Sequence, residues 1–61
     1  MRTVKDVDVI EALEQLGGGF VSALGAAARR ADEDNLRRIK QAWPEYWARY
    51  TALAEKAKKG A

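Results

Sequence analysis

Residues 29–38 read RRADEDNLRR, and this stretch decides how the chain folds. Residues 32–35 contain no apolar side chain, so they separate the apolar patterns on their two sides. Asp32 is a favourable helix N-cap, and acidic residues in a first turn suit the positive end of a helix. Arg29 and Arg30 suit the negative end of a preceding helix. The stretch therefore predicts a turn, near residues 31–34, between two helices.

Apolar or small residues recur on both sides of this turn at alternating steps of three and four, which is the heptad pattern of packed helices. The first stripe comprises Ile10, Leu13, Gly17, Phe20, Leu24, Ala27 and Ala31, and the second comprises Leu36, Ile39, Trp43, Tyr46, Tyr50, Leu53 and Ala57. We predict an all-α fold, a single small domain over residues 1–61. Its helices, about 6–31 and 33–58, fold as an antiparallel helical hairpin with frayed ends.

Gly17–Gly19 fall inside the first predicted helix and Pro44 inside the second, and both weaken a helix. Each glycine inside a helix costs about 1 kcal/mol relative to alanine, and an interior proline costs about 3 kcal/mol. One interpretation is that the helices break here into three or four shorter ones. The stripes keep their phase across both points, however, and a loop would have no reason to preserve it. We therefore favour helices that are kinked but continuous.

In such a hairpin the three glycines would face Tyr46 and Trp47. Glycines lack a Cβ atom, so they would open a notch that the aromatic rings could fill. An aromatic side chain buries about 150–250 Å², and two or three of them would offset the helix penalties. The glycine run and the aromatic cluster are thus both explained as packing.

Composition argues against catalysis. The chain has no cysteine and no histidine, and Ser22 is its only serine. No catalytic triad and no thiolate or imidazole metal site can be assembled from these residues. We therefore expect no catalytic residues, no metal site and no cofactor, and a protein that is not an enzyme.

The net charge of +2 is unevenly distributed. Residues 1–35 hold four basic and seven acidic side chains, and residues 36–61 hold seven basic and two acidic ones. In the predicted hairpin the acidic start of the chain lies beside its lysine-rich end, which accounts for most of this asymmetry. Arg29, Arg30 and Lys40, near the turn, are the basic residues that this pairing explains least.

The most apolar stretch, residues 20–28, is nine residues long. A membrane-spanning helix needs about 20. The acidic start of the chain is unlike a signal peptide. We expect a cytoplasmic protein.

A lone two-helix hairpin would leave much apolar surface exposed. We therefore predict self-association, with a homodimer forming a four-helix bundle and with Phe20, Leu24, Trp43 and Tyr50 in or near its core. The main rival is a compact three-helix monomer that is broken at Pro44.

The segment from Leu16 to Tyr50 resembles a group of small helical proteins, mostly uncharacterised, that are encoded by tailed phages and prophages of Gram-negative bacteria. The shared motifs are L-G-x-G-F-V at residues 16–21, R-A-D-x-x-N at residues 30–35 and W-P-E-Y-W at residues 43–47. The resemblance covers about 35 of the 61 residues. The resemblance implies a phage accessory protein that acts in the host cytoplasm, for example against a host protein or a host defence. It assigns no functional residues.

Three binding functions remain open. The leading hypothesis is a homo-oligomer that engages or inhibits a bacterial host protein, because aromatic and arginine side chains are the usual anchors of protein interfaces. The second is an oligomeric sponge for a nucleotide or other small signalling molecule, with stacked rings and arginine-bound phosphates. The third and weakest is nucleic-acid binding. The candidate binding residues are Trp43, Tyr46, Trp47, Tyr50, Arg29, Arg30, Arg37, Arg38 and Arg49.

Overall fold

Four helices make up the protein in a computed structural model, which describes the backbone of residues 4–60 and the side chains of residues 4–57. They are α1 (Asp6–Leu16), α2 (Gly19–Arg30), α3 (Glu33–Ala42) and α4 (Pro44–Gly60). No strand occurs in residues 4–60, so the predicted all-α class is confirmed. None of the described helices is long and apolar enough to cross a membrane.

The turn between α2 and α3 lies where the sequence predicts it. Arg30 ends α2, and Asp32 is the N-cap of α3. The Asp32 carboxylate accepts a hydrogen bond of 2.8 Å from the backbone N–H of Asn35. This bond satisfies one of the N–H groups that a helix start leaves without a partner.

The continuous helices predicted over 6–31 and 33–58 are wrong, because each one breaks. The first break is at Gly17 and Gly18, where Gly17 adopts an extended conformation with ψ of 156°. Ser22 bridges this break, since its hydroxyl donates to the backbone carbonyl of Glu14 in the last turn of α1. That carbonyl has no partner within its own helix. With this bond, the break leaves fewer backbone groups without a hydrogen-bond partner than it would without Ser22.

The second break is at Trp43, whose φ of −132° and ψ of 63° lie outside the helical region. Proline disfavours the helical conformation in the residue before it. Pro44 itself becomes the first residue of α4, a position where its missing N–H would have had no helical partner. The penalty for an interior proline is therefore avoided.

The long antiparallel hairpin is replaced by a more compact arrangement. The α1 helix packs mainly against α2 and α4, while α3 packs more sparsely against α2 and α4. The Asp6 carboxylate binds Lys40 at 2.9 Å, and the Lys40 ammonium lies 5.3 Å from the ring centroid of Trp47. The start of α1 thus lies beside the junction of α3 and α4, whereas a long hairpin would place it beside the end of α4. The α4 helix continues to Gly60, and Ala61 lies outside the described residues.

The core is small and centres on α1. Leu13 is fully buried and Val9 nearly so. The other buried apolar residues are Ile10, Ala12, Leu24, Ala28, Tyr50 and Ala54. Leu24 and Tyr50, predicted to lie in or near the core of a dimer, are thus buried within one chain.

Close packing of α1 on α2 depends on Gly25, which is buried. A Cβ atom at this position would lie 2.8 Å from the Cβ of Leu13 and 3.0 Å from the Cγ of Glu14. By contrast, the predicted aromatic notch at Gly17–Gly19 is absent. A Cβ at Gly17 would meet Val21 and the Leu13 carbonyl, and a Cβ at Gly18 or Gly19 would meet no atom within 4 Å. The close approach of two helices that glycine permits therefore occurs between α1 and α2 at Gly25, and not between the glycine run and the aromatic side chains.

Candidate binding surface

Three aromatic side chains form what we call the aromatic cluster: Phe20, Trp43 and Tyr46. The Phe20 ring lies 5.8 Å from the Trp43 ring at 65°, an edge-to-face arrangement, and 6.1 Å from the Tyr46 ring at 53°. Phe20 is 55% exposed, and the other two are half-buried. The two helix breaks are the reason these rings meet, because Phe20 follows the first break and Trp43 forms the second. An exposed phenylalanine supported by two rings is a suitable anchor for a partner.

A groove between α2 and α3 adjoins the aromatic cluster. Its volume is about 490 Å³. Small side chains form much of its lining, and Trp43 belongs both to the groove and to the aromatic cluster. The remaining lining residues are Ala27, Arg30, Ala31, Asn35, Arg38, Ile39 and Ala42. The two features therefore make one continuous surface.

Arg30 and Arg38 bring positive charge to this α2–α3 groove. Both side chains are exposed, and among the described residues neither forms an ion pair. They lie on different helices and line the same groove. Guanidinium groups favour carboxylates and phosphates, which they can bind through two parallel hydrogen bonds. The groove thus offers two free anion-binding side chains beside an apolar wall.

Arg29 and Arg37, in contrast, are engaged within the chain. Arg29 binds Glu14 through two nitrogens, with Nε 3.0 Å and Nη2 2.5 Å from Oε1. Arg37 binds Asp34 at 2.6 Å. These contacts make both arginines weaker candidates for binding an external anion.

The Glu14–Arg29 pair also joins α1 to α2. Hydrogen bonding to the Arg29 guanidinium lowers the pKa of the Glu14 carboxyl from its ordinary value, against a smaller opposing effect of desolvation. Together with the Lys40–Asp6 pair, it connects acidic residues of α1 to two of the basic residues that the hairpin left unexplained. The predicted pairing of the acidic start with the lysine-rich end is wrong for Asp6, which binds Lys40 near the junction of α3 and α4. The side chains of Lys58 and Lys59 lie outside the described residues.

The other candidate residues are scattered. Tyr50 is buried in the core, which rules it out as a contact for an external partner in this conformation. Trp47 is half-buried, packs against the core and lies below Lys40. Arg49 is exposed on α4 and lines no described groove. Of the nine candidates, the surface brings together Arg30, Arg38, Trp43 and Tyr46.

Sequence reasoning missed the apolar wall of the groove. The heptad pattern predicts Ala27, Ala31 and Ile39 in the seam of a long hairpin, and the expected dimer places Phe20 in or near its core. The heptad spacing correctly indicates that residues of one stripe share a helix face, but it does not identify what that face contacts. The sparse packing of α3 on α2 leaves the groove open.

No group of three or more histidine, cysteine, aspartate or glutamate residues with metal-binding geometry is present in the described part of the chain. Comparison with known proteins gives no further assignment: no family model, no curated protein and no solved structure matches this chain.

Proposed function

We propose that this chain is a non-catalytic helical binding protein that engages a protein partner through the aromatic cluster and the α2–α3 groove. One observation carries the proposal: an exposed aromatic ring, an apolar groove and two arginines without ion pairs form a single surface. Aromatic and arginine side chains dominate the binding energy of protein interfaces. Alanine-lined grooves also allow close approach of a second backbone.

The chemistry of this surface defines the partner segment. An apolar side chain of the partner packs on Phe20 and Trp43, and acidic side chains bind Arg30 and Arg38. An amphipathic helix with acidic residues beside its apolar face has both features, and helices commonly bind in grooves in this way. We therefore propose a partner with an acidic, amphipathic segment.

The biological setting of the proposal comes from the sequence resemblance. Small phage and prophage proteins with the same motifs suggest a bacterial host protein as the partner, bound in the host cytoplasm. Binding of a compact, non-catalytic protein to a functional surface of the host protein would block that surface. Inhibition of a host protein, such as one involved in defence, is the activity we propose.

Specific observations also favour a second candidate, a nucleotide or similar small anion. The volume of the α2–α3 groove falls within the range of about 300–1,000 Å³ that is typical of small-molecule sites. Arg30 and Arg38 would bind phosphate groups, and the exposed part of Trp43 would stack on a base. The open shape of the groove suits a protein segment better, so this remains the alternative.

We also propose that the protein is a homodimer, as expected from the sequence. Support comes from Leu16, a large apolar side chain that is 60% exposed in one chain. Burial of such side chains is the main favourable contribution to association. Because the helices are broken, the interface must differ from the one expected for a long hairpin.

Affinity capture from a bacterial lysate with matched variants tests the binding surface. Phe20→Ser removes the exposed ring, and Arg38→Glu reverses one groove charge. Val7→Ser is the control, because Val7 has nearly the same exposed fraction as Phe20 but does not line the groove. Circular dichroism verifies that each variant is folded.

We expect a host protein that is retained by the wild type and by Val7→Ser and is lost with both surface variants. Retention by all variants would contradict the proposed surface. Copurification of an ultraviolet-absorbing small molecule, lost only with Arg38→Glu, would favour the nucleotide alternative.

A further inference from the structure

A second groove, between α1 and α4, lies apart from the proposed binding surface. Its volume is about 200 Å³, and none of its lining residues belongs to α2 or α3. Its apolar lining includes Leu16, which is 60% exposed, and the half-buried Leu53 together with Ala12 and Ala57. A leucine exposed to this degree beside a second leucine marks this groove as an unfilled apolar face.

Charges of opposite sign flank this α1–α4 groove. Asp8 and Glu11 line it on the α1 side. On α4, Arg49 and Lys56 are spaced four and three residues from Leu53, so they lie next to it on the side away from α1. Both are exposed and form no ion pair with any described residue. Across the face there is thus an acidic ridge, an apolar groove and a basic ridge.

The relative direction of α1 and α4 determines how this face could pack against the same face of a second copy. Asp6, at the start of α1, lies near the junction of α3 and α4, and Leu16, at its end, shares the groove with Leu53 and Ala57. The two helices therefore run in broadly the same direction. Glu11 lines the groove on α1, and on α4 Lys56 directly precedes the lining residue Ala57.

We propose that this face binds a second copy of the chain, which gives the homodimer proposed above its interface. A twofold axis parallel to the groove places the acidic ridge of each copy against the basic ridge of the other, and it pairs each α1 with the partner's α4. A twofold axis across the groove would instead place acid against acid and base against base. The charges therefore select one of the two arrangements, since like charges at an interface are strongly unfavourable.

In the selected arrangement α1 and α4 of both copies form a four-helix bundle, with Leu16 and Leu53 at its centre. No residue of α2 or α3 lines this face. The dimer would thus leave both copies of the α2–α3 groove accessible. This inference rests on the proposed self-association but is independent of the host partner.

Sedimentation equilibrium with charge-reversal variants tests the interface. Glu11→Lys and Lys56→Glu each place like charges together at two symmetry-related contacts. We expect each variant to raise the dissociation constant at least about tenfold. A 1:1 mixture of the two variants restores opposite charges at both contacts, and so does the double variant. Both are expected to dimerise approximately as well as the wild type.

Glu55→Lys is the control, because it makes the same charge change on the side of α4 that faces away from the groove. It should dimerise like the wild type. A monomeric wild type would overturn both the dimer and this interface, while leaving the capture experiment with Phe20→Ser unaffected. A wild-type dimer that neither single variant weakens, or a mixture that fails to recover, would leave the dimer standing and overturn this interface. Circular dichroism separates weakened association from unfolding.

Discussion

At the scale of single residues, Gly25 is a position where the packing of α1 on α2 leaves no room for a side chain. Alanine at this position places its Cβ 2.8 Å from Leu13, a fully buried residue that cannot move without disturbing the core. We expect Gly25→Ala to destabilise the fold by about 1–3 kcal/mol, the usual cost of overpacking. Urea denaturation followed by circular dichroism measures this free energy of unfolding.

Gly19→Ala provides the matched comparison. Gly19 begins α2, and a Cβ there meets no atom within 4 Å. We expect stabilisation of about 0.4–1 kcal/mol, because alanine favours the helix and restricts the unfolded chain. Equal effects of the two substitutions would contradict the packing of α1 on α2 described here.

The Glu14–Arg29 pair makes stability depend on pH in a defined direction. Because the folded-state pKa of Glu14 is lowered by Arg29, the pair stabilises the fold above the ordinary pKa of a glutamate. That contribution is lost as pH falls through the lowered value. We expect the melting temperature of the wild type to exceed that of Glu14→Gln at neutral pH.

This difference in melting temperature should disappear in strong acid. Glu55→Gln is the control, since Glu55 is exposed and forms no ion pair with any described residue. A difference between wild type and Glu14→Gln that persisted unchanged in strong acid would show that the carboxylate charge is not responsible.

Residue-level prediction succeeded where the physical cause is local. Asp32 is recognisable as an N-cap because capping involves only the three residues that follow it. Gly25 was not recognised, because its requirement arises from Leu13, twelve positions away, and depends on the fold-back of α2 onto α1. A glycine among alanines on a helix is consistent with close packing, but it does not identify the neighbouring helix.

At the scale of helices, α3 is the most weakly held. It has no buried residue and packs sparsely against its neighbours. Its stability therefore depends strongly on its N-cap, and Asp32→Ala should cost about 0.5–2 kcal/mol of helix stability. Hydrogen exchange should show the α3 amides as the least protected helical amides in the wild type, and faster still in the variant.

Glu33→Ala serves as the control for Asp32→Ala, because Glu33 lies in the same first turn but makes no capping bond. It should have a smaller effect on exchange. Protection of α3 equal to that of α1 would contradict the sparse packing.

The helix breaks show that heptad periodicity does not establish whether a helix is continuous. An unbroken heptad phase predicts continuous helices, but here the phase is unbroken although the chain turns at Gly17 and at Trp43. The better signals were chemical: three adjacent glycines with a high conformational cost, and a proline that favours the first position of a helix. From the glycines and the proline together, backbone energetics predicts the alternative of three or four shorter helices.

At the scale of the whole molecule, compactness distinguishes the structure from a long hairpin. A continuous 26-residue helix would be about 39 Å long, whereas the longest dimension of the Cα trace is 29 Å. Its radius of gyration is 10.9 Å, close to the value of about 10.5 Å expected for a compact chain of this length.

We expect small-angle scattering from dilute samples of the Glu11→Lys variant to give the profile of a compact particle. A rod-shaped particle would indicate the hairpin instead. The double variant Glu11→Lys/Lys56→Glu, measured at higher concentration, is the control that should return the profile of the dimer.

The first helix break also has a kinetic consequence. In a continuous hairpin, α1 would find its partner only in the distant second half of the chain, whereas the break lets it pack on α2 across a connection of two residues. Proteins whose contacts are close in sequence fold in microseconds to milliseconds, because short loops close at little entropic cost. The pair of α1 and α2 is therefore expected to form first, with α4 docking afterwards on a surface that already exists. Two glycines that are unfavourable inside a helix would thus speed folding by bringing α1 and α2 together early.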